Sequence, residues 1–459
     1  MNNGLSRTEL ENYFHIFSQA AEIKCRFRPG VYNKYNVKRG LRNEDGSGVL
    51  VGLTKIGDVH AYVIDENEKV PVEGRLTYRG IDIYDIVEGF LSEGRFGFEE
   101  CAYLLLHGDL PTCRELELFR NVLASLRDIP EDFVRTNILS VPSKDVMNQL
   151  SRLVLIWYSY DPNPDDTSVK NLLRQSVNLI AKFPLMAAYS YQAKAHYFDK
   201  KSLVIHKPRY DLSTAENLLM LLRPSGEYTP VEAKILDLAL VLHAEHGGGN
   251  NSTFAAHVVS SSGTDIYSSL AAAIGSLKGP KHGGANSKVI GMMDELKREV
   301  RDWENDSQVR DYLARIVRRE AFDRTGLIYG MGHAVYTLSD PRCILLRRQV
   351  EELARQKGRT DEFELYRMVE RLAPEVFREI KKTDKPLCAN IDFYSGFVYD
   401  MLDIPSEMNT PLFAVARVAG WCAHIIEELL NGGRIIRPAY KNIKKPTEYI
   451  RLHERGQDS

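Results

Sequence analysis

Apolar positions recur at helical spacing along most of the chain and at strand spacing over one short stretch. Phe98, Cys101, Ala102 and Leu105 fall at i, i+3, i+4 and i+7, which predicts one buried helix face, and Gly108 with Pro111 marks its stop. Thr112 followed by Glu115 has the form of a capping box, in which each side chain takes up the other's free backbone N–H. It predicts a helix that buries Leu116, Phe119, Leu123 and Leu126. Thr229, Pro230 and Glu232 supply a cap, a proline at the first helical position and a capping acid. That helix is predicted to run to His246, because Gly247, Gly248 and Gly249 would each cost about 1 kcal/mol relative to alanine inside it. Asp265 predicts another helix, through Tyr267, Leu270 and Ile274, that stops at Gly279 and Pro280. Asp340 with Pro341, and Thr410 with Pro411, predict two more starts.

Between Gly48 and Tyr78 the pattern shortens to Val49 to Val51, Val59 to Ile64 and Val70 to Val72, broken by Gly52, Gly57 and Gly74, as in small hairpins. Ahead of it lie a predicted amphipathic helix through Tyr13, Phe14 and Phe17, and a basic stretch from Lys24 to Arg39 read as solvated surface. No repeat of fixed period is present, which excludes a solenoid. The fold class predicted is mainly α, with a small N-terminal β element. The length of 459 residues fits two or three domains.

Composition narrows the partners. With 60 Lys+Arg against 62 Asp+Glu, the net charge of −2 supplies no global basic field, so no nucleic-acid partner is expected. No apolar run approaches the roughly 20 residues that span a bilayer, so no membrane association is expected. The start of the chain, with Glu9 and Glu11, has no apolar signal region, and the expected location is cytoplasmic. Six scattered cysteines without a Cys-x-x-Cys pair disfavour a zinc ribbon or a disulfide scaffold, and predict reduced, mostly buried thiols.

The chemistry concentrates around the histidines. Five of the twelve lie between His243 and His333, and His246, His282 and His333 stand at glycine-rich breaks where backbone can approach a ligand. His243, His246 and His257 raise a metal reading, but no His-Glu-x-x-His spacing is present, so no metal is expected. Gly247 to Asn251 lacks the Lys-Ser/Thr that follows a phosphate-binding loop. His282 lies just ahead of a helix running through Val289, Met292, Met293 and Leu296, where the positive end of the dipole favours a neutral imidazole that donates an N–H. Arg342 opens the helix capped by Asp340 and can fork onto a carboxylate. Asp392, set between apolar neighbours after Asn390, reads either as a helix-capping acid or as a general base. Arg417, Trp421 and His424 share one helix face, and Arg434 and Arg437 follow the break at Asn431-Gly432-Gly433.

These segments resemble the citrate synthase family, whose close relatives include the 2-methylcitrate synthases. His243-Ala244-Glu245-His246-Gly247-Gly248-Gly249-Asn250 is similar to its oxaloacetate-binding segment, and Gly279-Pro280-Lys281-His282-Gly283 to the one with its first catalytic histidine. Gly332-His333-Ala334-Val335 with Asp340-Pro341-Arg342, and Asn390-Ile391-Asp392-Phe393-Tyr394-Ser395-Gly396, resemble the remaining signatures, in order. The likeness extends over roughly residues 53–440. It implies a two-domain helical fold: a large domain of residues 1–285 and 395–459, and a small one, 286–394, that closes over substrate. It implies condensation of acetyl-CoA with oxaloacetate and hydrolysis of citryl-CoA, an entry step of the tricarboxylic acid cycle, with propionyl-CoA as the alternative acyl donor. It also implies His282, His333 and Asp392 as catalytic residues. His246, Asn250, Arg342 and Arg417 would bind substrate, with Arg437 reaching in from the second subunit of a homodimer or dimer-based oligomer. No cofactor is implied, since acetyl-CoA is a substrate.

Overall fold

The computed structural model describes residues 6–28, 30–43, 46–65, 68–431 and 433–455. The chain forms two compact units, Met1–Leu53 and Thr54–Ser459. In the first, Ser6 and Glu9 make a reciprocal capping box that starts the helix Arg7–Cys25. The predicted helix is present, but Tyr13, Phe14 and Phe17 are exposed on it. Val49 to Val51 form no strand: Gly48 makes a single bridge to Arg42, and without a second strand a β-branched run has no ladder to complete.

The second unit begins with the strands Gly57–Asp65 and Glu68–Tyr78, paired antiparallel from Gly57↔Tyr78 to Asp65↔Glu68 and extended by Ile81–Asp82. Ala61, Leu76 and Tyr78 turn inward from this sheet. The Tyr78 hydroxyl reaches the carbonyl oxygens of Val241 and Glu245, at 3.0 and 3.1 Å. Among the described residues, the regular elements after the sheet are all helices. The helices Phe98–His107 and Cys113–Leu126 form as predicted, the first stopped by Gly108 in the left-handed region and the second started by the Thr112–Glu115 box.

Two boundaries differ from the sequence reading. The helix Pro230–His243 stops three residues before the predicted His246. Its last carbonyls are taken by side chains, Val241 by Tyr78 and His243 by Arg417 Nε at 2.6 Å, so the backbone is released before the glycines. The last long helix, Asn409–Leu430, follows a 3-10 turn, Ser406–Met408, and is not capped by Thr410. Thr410 Oγ1 donates instead to the Gly283 carbonyl, tying the helix to the turn that carries His282.

Asn409–Leu430 packs against Val169–Tyr197 at the centre of the unit. Both are buried over most of their circumference, as expected of helices apolar on every side. Arg417 and His424 interrupt that apolar run in the first. The helices Ala285–Glu299, Asp306–Val317, Pro341–Gln356, Thr360–Lys381 and Ile391–Met401 pack largely on one another, and Pro341–Gln356 also meets Pro230–His243. All six cysteines are free: Cys101, Cys343 and Cys422 are buried, Cys388 half-buried, and Cys25 and Cys113 exposed. Among the described residues no helix is long and apolar enough to cross a membrane.

Candidate active site

The site's floor is built where Pro230–His243 ends under the central helix. Arg417 is fully buried; its Nε is spent on the His243 carbonyl, and neither Nη has a hydrogen-bond partner among the described residues. Burial pulls its pKa down to about 10, against the pull of the nearby Glu245 carboxylate. His246 is buried with Nε2 likewise unpaired, and burial, reinforced by Arg342, holds its pKa well below the ordinary histidine value. Asn250 caps the helix Asn251–Ser260, its Oδ1 accepting from the backbone N–H of Ser252 and lying 2.9 Å from the Ser252 hydroxyl. Ser252 Oγ also accepts from Trp421 Nε1, at 3.2 Å, and lies 3.1 Å from His282 Nε2. His282 sits in the turn before Ala285–Glu299. Its pKa is lowered to about 4, so the ring is neutral as expected, but burial and then Arg417 are the causes, rather than the helix end.

The opposite wall comes from residues 330–342 and 388–392. Met331 bridges Ala389, Gly332 N–H donates to the Cys388 carbonyl and Asn390 N–H to that of Gly330, so the two segments run side by side. Gly330 has φ +78°, and a Cβ there would stand 2.9 Å from the Phe393 Cα, so neither its conformation nor its space admits a side chain. His333 Nδ1 accepts the backbone N–H groups of Val335 and Tyr336, at 3.1 and 3.2 Å, which leaves the ring proton on Nε2. Arg342 makes a two-pronged pair with Asp340, whose carboxylate also caps Pro341–Gln356 and accepts the Ile391 N–H. Asp392 occupies the first turn of Ile391–Met401, its N–H capped by Asn390 Oδ1. Burial pushes its pKa up to about 6, Arg342 opposing and Asp340 adding to the rise.

The two walls meet. The His246 ring lies 5.1 Å from that of His333 and 5.5 Å from Tyr336, centroid to centroid, and Arg342 stands over Tyr336. Asp392 feels the charges of both Arg342 and Arg417. One region thus gathers a carboxylate poised near pH 6, neutral imidazoles, and a buried guanidinium lacking acceptors among the described residues. The family model described as "Citrate synthase, C-terminal domain" matches residues 45–439. The chain belongs to the citrate synthase family. The citrate synthase of Deinococcus radiodurans is 35% identical over 80% of this chain and 89% of its own. The 2-methylcitrate synthase 1 of Corynebacterium glutamicum is 31% identical over 91% and 98%. Among solved structures, the ternary complex of carboxymethyl coenzyme A and oxaloacetate with the citrate synthase of Thermoplasma acidophilum superposes with a TM-score of 0.73, at 25% identity over 91% of this chain and 99% of that one.

In this citrate synthase family member, His246, His282, His333, Arg342, Asp392 and Arg417 are brought together, and Asn250 stands behind them through Ser252. Arg437 is not: it lies exposed on the extended segment after Leu430, beyond Gly432, which is outside the described residues. The three histidines of the metal reading diverge, His243 to the Phe413 ring, His246 to His333, and His257 to Glu428 and His424. Among the described residues no cluster of His, Cys, Asp and Glu is arranged to hold a metal. Sequence reasoning missed Ser252 and Tyr336. Tyr336 stands three residues after His333 and could have been found from that spacing; Ser252 meets His282 across 30 residues, and no spacing rule carries that far.

Proposed function

We propose that this protein joins the methyl carbon of acetyl-CoA to the ketone carbon of oxaloacetate and hydrolyses the resulting citryl thioester to citrate and CoA. The observation that carries this reading is the buried Arg417 guanidinium with both Nη groups unpaired beside the unpaired His246 Nε2. A buried cation left without acceptors is costly, and a substrate carboxylate supplies them. Asp392 takes a methyl proton, and His282 donates a hydrogen bond to the thioester oxygen that becomes the enolate oxygen. His333 Nε2–H polarises the ketone, so the enolate carbon attacks and the ketone oxygen becomes the citryl hydroxyl. Arg342 and Asn250 complete the dicarboxylate site. The reaction uses no cofactor or metal.

Closure of residues 286–394 onto the rest of the chain would exclude water until citryl-CoA has formed. In support, His333, Arg342 and Asp392 belong to that span and His246, His282 and Arg417 do not, and its helices pack largely on one another. Arg437 completes the site of a second copy in a homodimer; its exposure, with that of Ile435 and Tyr440 nearby, supports this. Backbone at residues 331–335 and basic residues toward Lys441 serve CoA. The protein acts in the cytoplasm at the entry to the tricarboxylic acid cycle. The 2-methylcitrate synthases among its relatives favour propionyl-CoA as the second reading.

The test follows free CoA thiol with oxaloacetate and either acetyl-CoA or propionyl-CoA, with and without a chelator. Faster release from acetyl-CoA, indifferent to chelation and lost in Asp392→Asn, is expected. A propionyl-CoA preference would move the assignment, and no oxaloacetate-dependent release with either would overturn it.

A further inference from the structure

Two opposite charges beneath the site each keep unpaired atoms. Among the described residues Glu245 Oε2 is buried without a partner, and it rests over Gly420, where a Cβ would come within 2.5 Å of it. Gly420 is three residues from Arg417 on the same helix, and the two Arg417 Nη groups are the unpaired donors described above. At low dielectric such neighbours attract strongly, so something holds them apart. The other carboxylate oxygen, Oε1, is held twice, by His424 Nε2 at 3.0 Å and by the Gly247 N–H. His424 Nδ1 in turn lies 3.2 Å from His257 Nε2, and His257 Nδ1 lies 2.8 Å from Glu428 Oε2, at the half-buried end of the central helix.

The four side chains form three hydrogen bonds in series, and each bond needs one proton. With both carboxylates ionised, two neutral imidazoles provide two protons, so a third must be bound and one ring is an imidazolium. Burial together with the adjacent His424 charge holds the His257 pKa below the usual value, while Glu245 is kept ionised by His424 and Arg417 against its burial. In this series His424 bridges the two ends, with Nδ1 toward His257 and Nε2 toward Glu245 Oε1.

We propose that the chain Glu428, His257, His424 and Glu245 holds the Glu245 carboxylate away from Arg417, keeping that guanidinium free for the incoming substrate carboxylate. The inference rests on the oxaloacetate site proposed above. His257, His424 and Glu428 are positioning residues: they touch no reactant and act through Glu245. The other groups facing this chain are Arg79, Arg417 and Glu427, and Tyr78 and Cys101, whose burial keeps them protonated.

The experiment measures KM for oxaloacetate and kcat at pH 7 in the unmodified protein, His424→Gln, Glu428→Gln and the double variant Glu245→Gln/His424→Gln. In His424→Gln, KM is expected to be at least tenfold higher, with kcat changed less than threefold. Glu428→Gln, at the half-buried end where folding is least at stake, raises KM about threefold. The double variant, with no carboxylate left to compete, recovers the low KM, which a merely structural role for His424 would not allow. An unmoved KM in both His424→Gln and Glu428→Gln, or a double variant no better than His424→Gln, would overturn the proposal. Absence of oxaloacetate-dependent turnover in the unmodified protein would instead remove the reading on which it rests.

Discussion

The two walls of the pocket hold their charges in opposite ways. On the wall formed by residues 330–342 and 388–392, Arg342 is already paired with Asp340 through two hydrogen bonds, and that carboxylate is shared with two backbone N–H groups. On the floor, Arg417 spends one nitrogen on a carbonyl and leaves two unpaired, with a carboxylate nearby that is tied elsewhere. The same residue type is thus anchored by a carboxylate in one place, with Nη1 outside that pair, and by a single carbonyl in the other. A buried cation with most of its partners present holds the fold as well as a ligand, and one whose partners are missing depends on the ligand to supply them.

The largest effect is expected where the floor and the wall act together. Asp392→Asn should lower kcat by about 10³-fold, within the range of general-base catalysis, while the protein stays folded by circular dichroism. Asp392 also has its pKa raised to about 6, above the unfolded carboxylate value, so its ionisation costs stability as pH rises from the unfolded pKa to about 6. The asparagine variant should therefore melt at a higher temperature than the unmodified protein at pH 7.

The two arginines can then be set against each other directly. Arg342→Leu leaves Asp340 buried without its cation and should cost about 3 to 5 kcal/mol in denaturant unfolding. Arg417→Leu should leave stability unchanged or higher but raise KM for oxaloacetate by about 10²-fold, the loss of two charge-assisted hydrogen bonds. Equal destabilisation by the two would erase the distinction.

A change of pH sharpens the comparison further. With Asp392 as the proposed base, kcat/KM should fall about tenfold per unit once pH drops below about 6. His282, with its pKa near 4, stays neutral across that limb and adds no second break above pH 5. The smallest effect belongs to Asn250→Ala, which removes a helix cap for about 1 kcal/mol and loosens Ser252 behind His282; a few-fold fall in kcat is expected.

Much of the scaffold was legible because its bonds are local. The Thr112–Glu115 and Thr229–Glu232 boxes and the Asp265 and Asp340 caps each join groups two or three residues apart, and all four are present. Where a cap was inferred from Thr410, or a helix end from the glycines at 247 to 249, a distant partner had the final say: the Gly283 carbonyl in one case, Tyr78 and Arg417 in the other. Val49 to Val51 carried strand propensity without a neighbour to pair with.

By itself the sequence singled out the candidate residues, several of the helices they begin or end, and the shared face of Arg417, Trp421 and His424. Tertiary structure alone decided what that face meets. Arg417 finds His243, Trp421 finds Ser252 and His424 finds Glu245, each across about 170 residues. Contacts at that separation depend on how whole helices stack, and periodicity along one helix does not encode the position of another. The unpaired donors of Arg417 and the fate of the Glu245 carboxylate follow from that stacking.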